Sequence, residues 1–379
     1  MSEPTILVAA GEPSGDLHGA AVAEALRRRW PQARLFGLGG PRMAAAGVEL
    51  MADFGELAVM GFAEVASRLP FFVRLMRRLT AEMRRRGVDL VLPIDYPGFN
   101  LRLAGRARNA GVPVLYYIAP QVWAWHRSRI GKLAHLADRL AVILPFEEAI
   151  FREAGARVSF VGHPLLDSGE AGPSATELRA GLGVEAGPLL ALFPGSRPQE
   201  VEKHLALFLE AAERLRTAHP DLQPVVARSP AVRAEAYAGV PYPTTADSRT
   251  LLRHARGALV KSGTTTLEAA LAGTPMVIAY RTSRSTYALA RRLVRVEHIG
   301  LVNLVAGRRL MPELVQDAAT PAALAAALSP LLAEGSPERA NALAGLACVR
   351  AALASPDAAG RSAAERVAAL AAELIPEAR

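Results

Sequence analysis

The sequence predicts an α/β protein made of two successive doubly wound domains, with a cleft expected between them. Three observations predict it. Short runs rich in Val, Ile and Leu alternate with longer helix-patterned stretches, the pattern of parallel strands joined by helices. That rhythm pauses in a polar stretch from Pro164 to Gly187, rich in Gly, Ser, Glu and Ala, and restarts at Leu189. The chain has 379 residues, too many for one ordinary core. We therefore place a first domain at 1–165, a linker at 166–187 and a second domain at 188–379.

In the first half the strand-like runs are Thr5–Ala10, Arg34–Gly37, Val88–Ile94, Val112–Ile118, Arg139–Ile143 and Val158–Val161. In the second they are Leu189–Phe193, Pro224–Ala227, Ala258–Lys261 and Pro275–Tyr280. Beyond about Thr320 the chain is alanine-rich and helical in pattern, and it shows no tandem repeat of fixed period.

Hydrophobic residues make up 51% of the chain and charged residues 21%, a globular composition. No apolar run approaches the roughly 18 residues that span a bilayer, and the first strand begins without a signal-like segment. These features point to a protein neither secreted nor integral to a membrane. The one cysteine, Cys348, forms no intrachain disulfide and is compatible with a reducing cytoplasm. A net charge of +8 suggests an anionic partner. No nucleic-acid module is recognisable, and the basic residues do not interleave with aromatics as a stacking platform requires.

Ligands of open α/β domains bind at the carboxyl ends of strands, so those positions carry the chemistry. After the first strand comes Gly11-Glu12-Pro13-Ser14-Gly15-Asp16, which is not a dinucleotide fingerprint. Ser14 suits an N-cap and Asp16 the positive end of a helix. Glu12 is not explained by capping, and we take it as a sugar or acceptor contact. Asp95 directly follows the buried run Val88–Ile94. A carboxylate there is partly desolvated and aimed at the cleft, as a general base requires, although a turn aspartate is the commoner role. Trp123 and Trp125 crowd the next strand end, as core or as a substrate wall.

In the second domain, Leu189–Phe193 leads into Pro194-Gly195-Ser196-Arg197. Ser196 and Gln199 have capping-box spacing, whereas Arg197 in a first helical turn is a candidate pyrophosphate clamp. Ser262, Gly263, Thr264 and Thr265 form a glycine and hydroxyl loop suited to a diphosphate, and Glu268 could accept hydrogen bonds from two ribose hydroxyls. Asn303 and Glu313–Gln316 lie in a less regular stretch that could line the cleft. Motifs for metal or covalent chemistry are absent: there is no DxD pair, HExxH, CxxC or GxSxG, so neither metal nor cofactor is expected.

These motifs together closely resemble the lipid-A-disaccharide synthase family. The resemblance runs over most of the chain. It includes Gly11–Asp16, Gly40–Met43, Met60–Val65, Ile94–Asn100, Pro120–Trp125, Leu144–Glu147, Val161–Pro164, Leu192–Arg197, Ser262–Glu268 and Pro312–Leu314. It implies a GT-B type of fold, two Rossmann-like domains facing a cleft, with an acceptor side in the first domain and a UDP-sugar side in the second. It also implies an inverting transfer of 2,3-diacylglucosamine from UDP-2,3-diacylglucosamine to 2,3-diacylglucosamine 1-phosphate, giving a β-1,6 disaccharide and UDP without a metal. Asp95 matches the family's general base, Arg197 the arginine near the diphosphate, Glu12, Ser14 and Asp16 the sensitive first loop, and Glu268 and Asn303 positions at the nucleotide. Pro13 stands where many relatives have Thr, which stiffens that loop.

The nearest rivals are a UDP-N-acetylglucosamine 2-epimerase or a peptidoglycan glycosyltransferase of the same architecture; a rival of another class is a non-enzymatic basic protein that binds membranes or nucleic acid. The segment 70–86 bears on the choice. On a helix starting near Pro70, Phe72, Leu75, Met76, Leu79 and Met83 share one face, with Arg74, Arg77, Arg78, Arg84 and Arg85 largely opposite. With the adjacent Phe71, this reads as a helix lying on the cytoplasmic face of the inner membrane, where acylated substrates reside. A surface helix packing one apolar stripe into the core would show the same spacing.

Overall fold

The computed structural model describes residues 3–53, 62–125, 128–167, 172–184, 186–284, 286–288, 296–355 and 360–375. The chain divides into two units, residues 1–168 with 354–379, and residues 169–353.

The first unit is built on a parallel sheet of β1 (Thr5–Ala10), β2 (Arg34–Gly39), β3 (Glu49–Asp53), β4 (Leu90–Ile94), β5 (Leu115–Tyr117), β6 (Arg139–Val142) and β7 (Val158–Phe160). Their spatial order is β3-β2-β1-β4-β5-β6-β7. β1 and β4 are buried at every position because helices cover both sheet faces, so they read as unbroken apolar runs. β3 is not announced by the sequence: at the sheet edge its Glu49-Leu50-Met51-Ala52-Asp53 needs no continuous apolar run. The order of winding reverses between the parallel neighbours β1 and β4, whose pairing sets Ala10 beside Ile94. Gly11 and Asp95, the next residues, thus emerge together at the topological switch point.

The second unit repeats the winding. Its strands are β8 (Leu189–Phe193), β9 (Gln223–Ala227), β10 (Thr244–Thr245), β11 (Ala255–Lys261), β12 (Met276–Tyr280) and β13 (Glu313–Val315), in the order β10-β9-β8-β11-β12-β13. Here the switch lies between β8 and β11, where Phe193 pairs with Val260. The edge strands β10 and β13 are two and three residues long and polar in part, which is why no run announces them.

Two expected boundaries are corrected. The stretch read as a linker contains a helix, Ala175–Leu182, within the second unit. Ser174 and Glu177 close a capping box at its start and Gly183 ends it in the left-handed conformation. The helix Ala363–Leu374 belongs to the first unit and not to the second. Its Val367, Leu370 and Ala371 complete the core around Ala23, Leu26, Leu115 and Tyr117, and Arg366 donates to the carbonyl of Val161. The alanine-rich pattern that suggests a generic C-terminal helix is the small-residue face that lets it lie close to Pro13–Arg29.

The basic amphipathic segment also needs correction. Its helix runs from Phe62 to Arg85 with Pro70 inside it. Leu75, Met76, Leu79 and Met83 are core residues, because this stripe faces the neighbouring helix Pro97–Asn109. Phe71 and Phe72 are half-buried in edge-to-face contact, and Phe72 lies 6.3 Å from Phe99. Among the described residues of this helix, the large apolar side chains most exposed to solvent are Leu69, 58% exposed, and Val73, 42% exposed, beside exposed Arg74, Arg77 and Arg78. Among the described residues, no helix is long and apolar enough to cross a membrane.

Candidate active site

In the first unit, Asp95 and Tyr96 both sit in the left-handed region, with φ of 45° and 49°, and Ile118 at the end of β5 has φ 58°. Such backbone is costly for residues other than glycine and is kept where the surroundings enforce it. The Asp95 carbonyl accepts from Asn100 Nδ2 at 2.8 Å and from the Tyr116 hydroxyl at 2.7 Å, and the Asp95 amide donates to Tyr117 O at 3.0 Å. These three bonds hold the backbone, and the carboxylate itself takes a backbone hydrogen bond at Tyr96. Gly11 is required opposite, because a Cβ there would lie 2.3 Å from the Tyr96 ring.

Burial and then the charge of Glu12 push the Asp95 carboxyl up to about 6. Glu12 is exposed and occupies the N-cap of helix Pro13–Arg29 without a side-chain capping bond. The first loop otherwise departs from expectation. Pro13 takes the first helical turn and exposed Ser14 lies inside the helix, so Ser14 is not the cap. Asp16 is buried, and its carboxylate accepts from the amides of Gly40, Arg42 and Met43. It caps the next helix, Pro41–Ala45, which is a structural duty in place of the expected ligand contact.

A second carboxyl, Glu147 at the end of the Leu144–Glu147 motif, carries no sequence signal of its own. It is fully buried, accepts from Trp123 Nε1 at 3.0 Å and from Leu144 N at 3.1 Å, and is pushed up to about 7, chiefly by burial. Trp123 stacks edge-on against Phe146 at 4.9 Å, which makes it a buried, fixed part of the strand-end wall. The side chain of Trp125 lies outside the described residues.

In the second unit one cavity of about 430 Å³ gathers most of the predicted nucleotide residues: Ser196, Ser262, Gly263, Thr264, Thr265 and Glu268. Its cations are missing from the sequence-based expectation. Arg228, Arg249 and Lys261 line it, and the buried Nε–H of Arg228 has no acceptor among the described residues. Arg228 follows β9 directly and Lys261 ends β11, so the strand-end rule applied to every strand would find both. Burial pushes Glu268 upward and nearby Arg249 opposes the shift.

Other residues assigned to this site have different duties. Arg197 is the N-cap of helix Pro198–Ala218; its side chain is 72% exposed and reaches Glu200 at 3.4 Å. Ser196 and Gln199 make no capping box, since Glu200 takes the Ser196 amide at 2.9 Å. Ser262 donates its hydroxyl to Ile299 O at 2.7 Å while still lining the cavity. Asn303 is fully buried: it donates to Met311 O and Glu313 and accepts from Met311 N, which fixes the chain before β13 and leaves no face for a nucleotide. Among the described residues, no group of three His, Cys, Asp or Glu is disposed to hold a metal ion.

Residues 6–358 match the lipid-A-disaccharide synthetase family. The chain belongs to it. Curated relatives named lipid-A-disaccharide synthase include one from Syntrophus aciditrophicus, 42% identical over 90% of this chain and 91% of its own length. Another, from Myxococcus xanthus, is 41% identical over 95% of this chain and 96% of its own. Among solved structures, a glycotransferase of kitacinnamycin has a TM-score of 0.63 at 18% identity, covering 99% of this chain and 100% of its own. A UDP-N-acetylglucosamine 2-epimerase scores 0.59 at 13%, covering 96% and 94%. These two likenesses show the fold, two Rossmann-like domains of the GT-B type, and at such identities carry nothing about activity. Family membership makes the chain a hexosyltransferase of lipid A disaccharide formation. It also sets aside the epimerase, peptidoglycan and non-enzymatic readings.

Proposed function

We propose that the enzyme transfers 2,3-diacylglucosamine from UDP-2,3-diacylglucosamine to the 6'-hydroxyl of 2,3-diacylglucosamine 1-phosphate. Asp95 takes the hydroxyl proton as the oxygen attacks the anomeric carbon. The bond from that carbon to the diphosphate oxygen breaks on the opposite face, the configuration inverts to β, and UDP departs with the bonding pair. The observation that carries this reading is the contrast in electrostatics: a carboxyl held near 6 at one switch point, and an arginine- and lysine-lined cavity at the other. A base with that pKa is half or more ionised at neutral pH yet still basic enough to accept a proton. Arg228, Arg249 and Lys261 supply cationic charge for a diphosphate leaving group, so no protonating acid is required. Helix Thr265–Leu271 has only seven residues, and most of the anion stabilisation is assigned to these side chains. The test is mass spectrometry of the product from diacylated donor and acceptor in EDTA-containing buffer, beside a reaction with UDP-N-acetylglucosamine. Turnover confined to the second donor, or absent without added Mg²⁺, overturns the reading.

Membrane attachment is proposed at the surface of Leu69, Val73, Arg74, Arg77 and Arg78, with Phe71 and Phe72 beneath. Exposed apolar groups beside arginines suit an anionic leaflet interface on the cytoplasmic side. Replacing Leu69 and Val73 with Ser should lower binding to anionic vesicles severalfold and leave the melting temperature within a few degrees, whereas Leu75→Ser should destabilise by roughly 2 to 4 kcal/mol. Vesicle binding unchanged in the double variant excludes this surface.

A further inference from the structure

Glu200 lies in the wall of the second-unit cavity, which Arg228, Arg249 and Lys261 line together with Asp247 and Glu268, and it holds a carboxylate among the groups that would seat a phosphate. Its Oε2 accepts from the Ser196 amide at 2.9 Å and faces the Ser196 hydroxyl at 3.5 Å. Its Oε1 accepts from Lys261 Nζ at 2.7 Å and faces Arg197 Nη1 at 3.4 Å. A loop amide at the start of the 21-residue helix Pro198–Ala218, a hydroxyl, an ammonium and a guanidinium are the donors an anion seeks. The loop is shaped around this residue: Gly195 has φ +134°, and a Cβ there would lie 2.4 Å from the Glu200 Cβ. Side-chain exposures of 16% for Glu200 and 15% for Lys261 make their pair the sheltered one, while Arg197 remains outside it.

Resting on the nucleotide reading of this cavity, we propose that Glu200 is an internal anion that competes with the diphosphate for Ser196, Arg197 and Lys261 and so limits how tightly UDP is held. Two consequences follow from the charge. Without nucleotide, the carboxylate neutralises cations that would otherwise repel one another and collect inorganic anions. With nucleotide, a negative charge remains beside the diphosphate and weakens ground-state binding. UDP is common to donor and product, so stronger uniform binding would lower the donor KM and slow product release without stabilising the transition state.

Glu200 acts here through Ser196, Arg197 and Lys261 and is a positioning residue, and its test is a gain of affinity that structural damage would not produce. Calorimetric titration with UDP should show Glu200→Gln binding roughly fivefold to tenfold tighter than the parent, the size expected for removing one nearby like charge at a sheltered surface. Gln still accepts the Ser196 amide, so the loop is kept. Glu200→Ala, which removes the side chain, should change affinity in the same direction. Inorganic phosphate should become a better competitor of UDP in both, and Glu200→Gln should lower the donor KM and kcat together. Unchanged or weaker UDP binding in the two variants, with melting temperatures near the parent's, overturns the proposal and leaves Glu200 as a support for Lys261. If the parent binds UDP and Arg249→Ala weakens it, that failure is of this proposal alone. If the parent does not bind UDP, the nucleotide reading falls and this one with it.

Discussion

The two domains are wound in the same order and open at the same kind of switch point, yet their strand ends carry opposite charge. Between β1 and β4 stand Glu12 and Asp95, with Glu147 buried nearby. Between β8 and β11, and just beyond β9, stand Lys261 and Arg228, with Arg249 lining the same cavity and Arg197 reaching Glu200 from solvent. The architecture supplies a place, and the residues just past the strands decide what is done there. In the first domain burial and a neighbouring carboxylate make Asp95 uncomfortable as an anion, as its proposed role as base requires. A diphosphate must be made comfortable, and in the second domain Arg228, Arg249 and Lys261 are the groups proposed to do so, set among the carboxylates of Glu200, Asp247 and Glu268.

The largest effect should come from removing the first side of that contrast. Asp95→Asn is expected to cut turnover by roughly a hundredfold to ten-thousandfold while UDP affinity stays near the parent value, measured by product formation and titration. Turnover within threefold would mean that the acidic switch point is not the base. Next, Arg249→Ala should weaken UDP binding about tenfold or more, and Arg197→Ala clearly less, because its guanidinium is largely in solvent. An equal loss in both would show that Arg197 turns inward on binding.

The pH profile sharpens the contrast further. Asp95 must be deprotonated to act, so turnover should rise with pH through about 6 on the acidic limb. Glu12→Gln removes a like charge that disfavours the ionised form, and the limb should move to lower pH; a limb that stays in place would separate Glu12 from the base. The smallest effect concerns stability. The Glu147 pKa in the fold, about 7, lies above its ordinary 4.5, so the folded chain keeps a proton that the unfolded chain has released between those values. Stability should therefore fall as pH rises through that window, by about 3 kcal/mol, and Glu147→Gln should flatten the dependence in denaturant melts. A parent curve no steeper than the variant's would refute the assignment.

Much of the fold and part of the site are legible in the amino-acid sequence. Buried parallel strands announce themselves as apolar runs, so their ends, and with them Glu12, Asp95 and Ser262–Glu268, can be located. What stays hidden is the company each side chain keeps. Asp16 and Asn303 look like ligands by position and spend their polar atoms on backbone amides and carbonyls instead. The stripe Leu75, Met76 and Leu79 has a spacing that a membrane face and a core face share, and only the presence of Phe99 and its helix decides between them. Arg228 just past β9, Arg249 in helix Ser248–His254 and Glu200 in helix Pro198–Ala218 come from separate elements, and no local pattern says they meet.

The return of helix Ala363–Leu374 to the first unit has a consequence for biogenesis. On a ribosome the strands β1 to β7 emerge early, but the groove beside Leu26, Leu115 and Tyr117 stays bare until residues 363–374 have been made. The second domain is in effect inserted into the first, and it has the whole of its own sequence available sooner. A chain cut short after Leu353 would carry the second domain attached to a partner whose apolar groove is uncovered, a scar for chaperones to shield and for proteases to find.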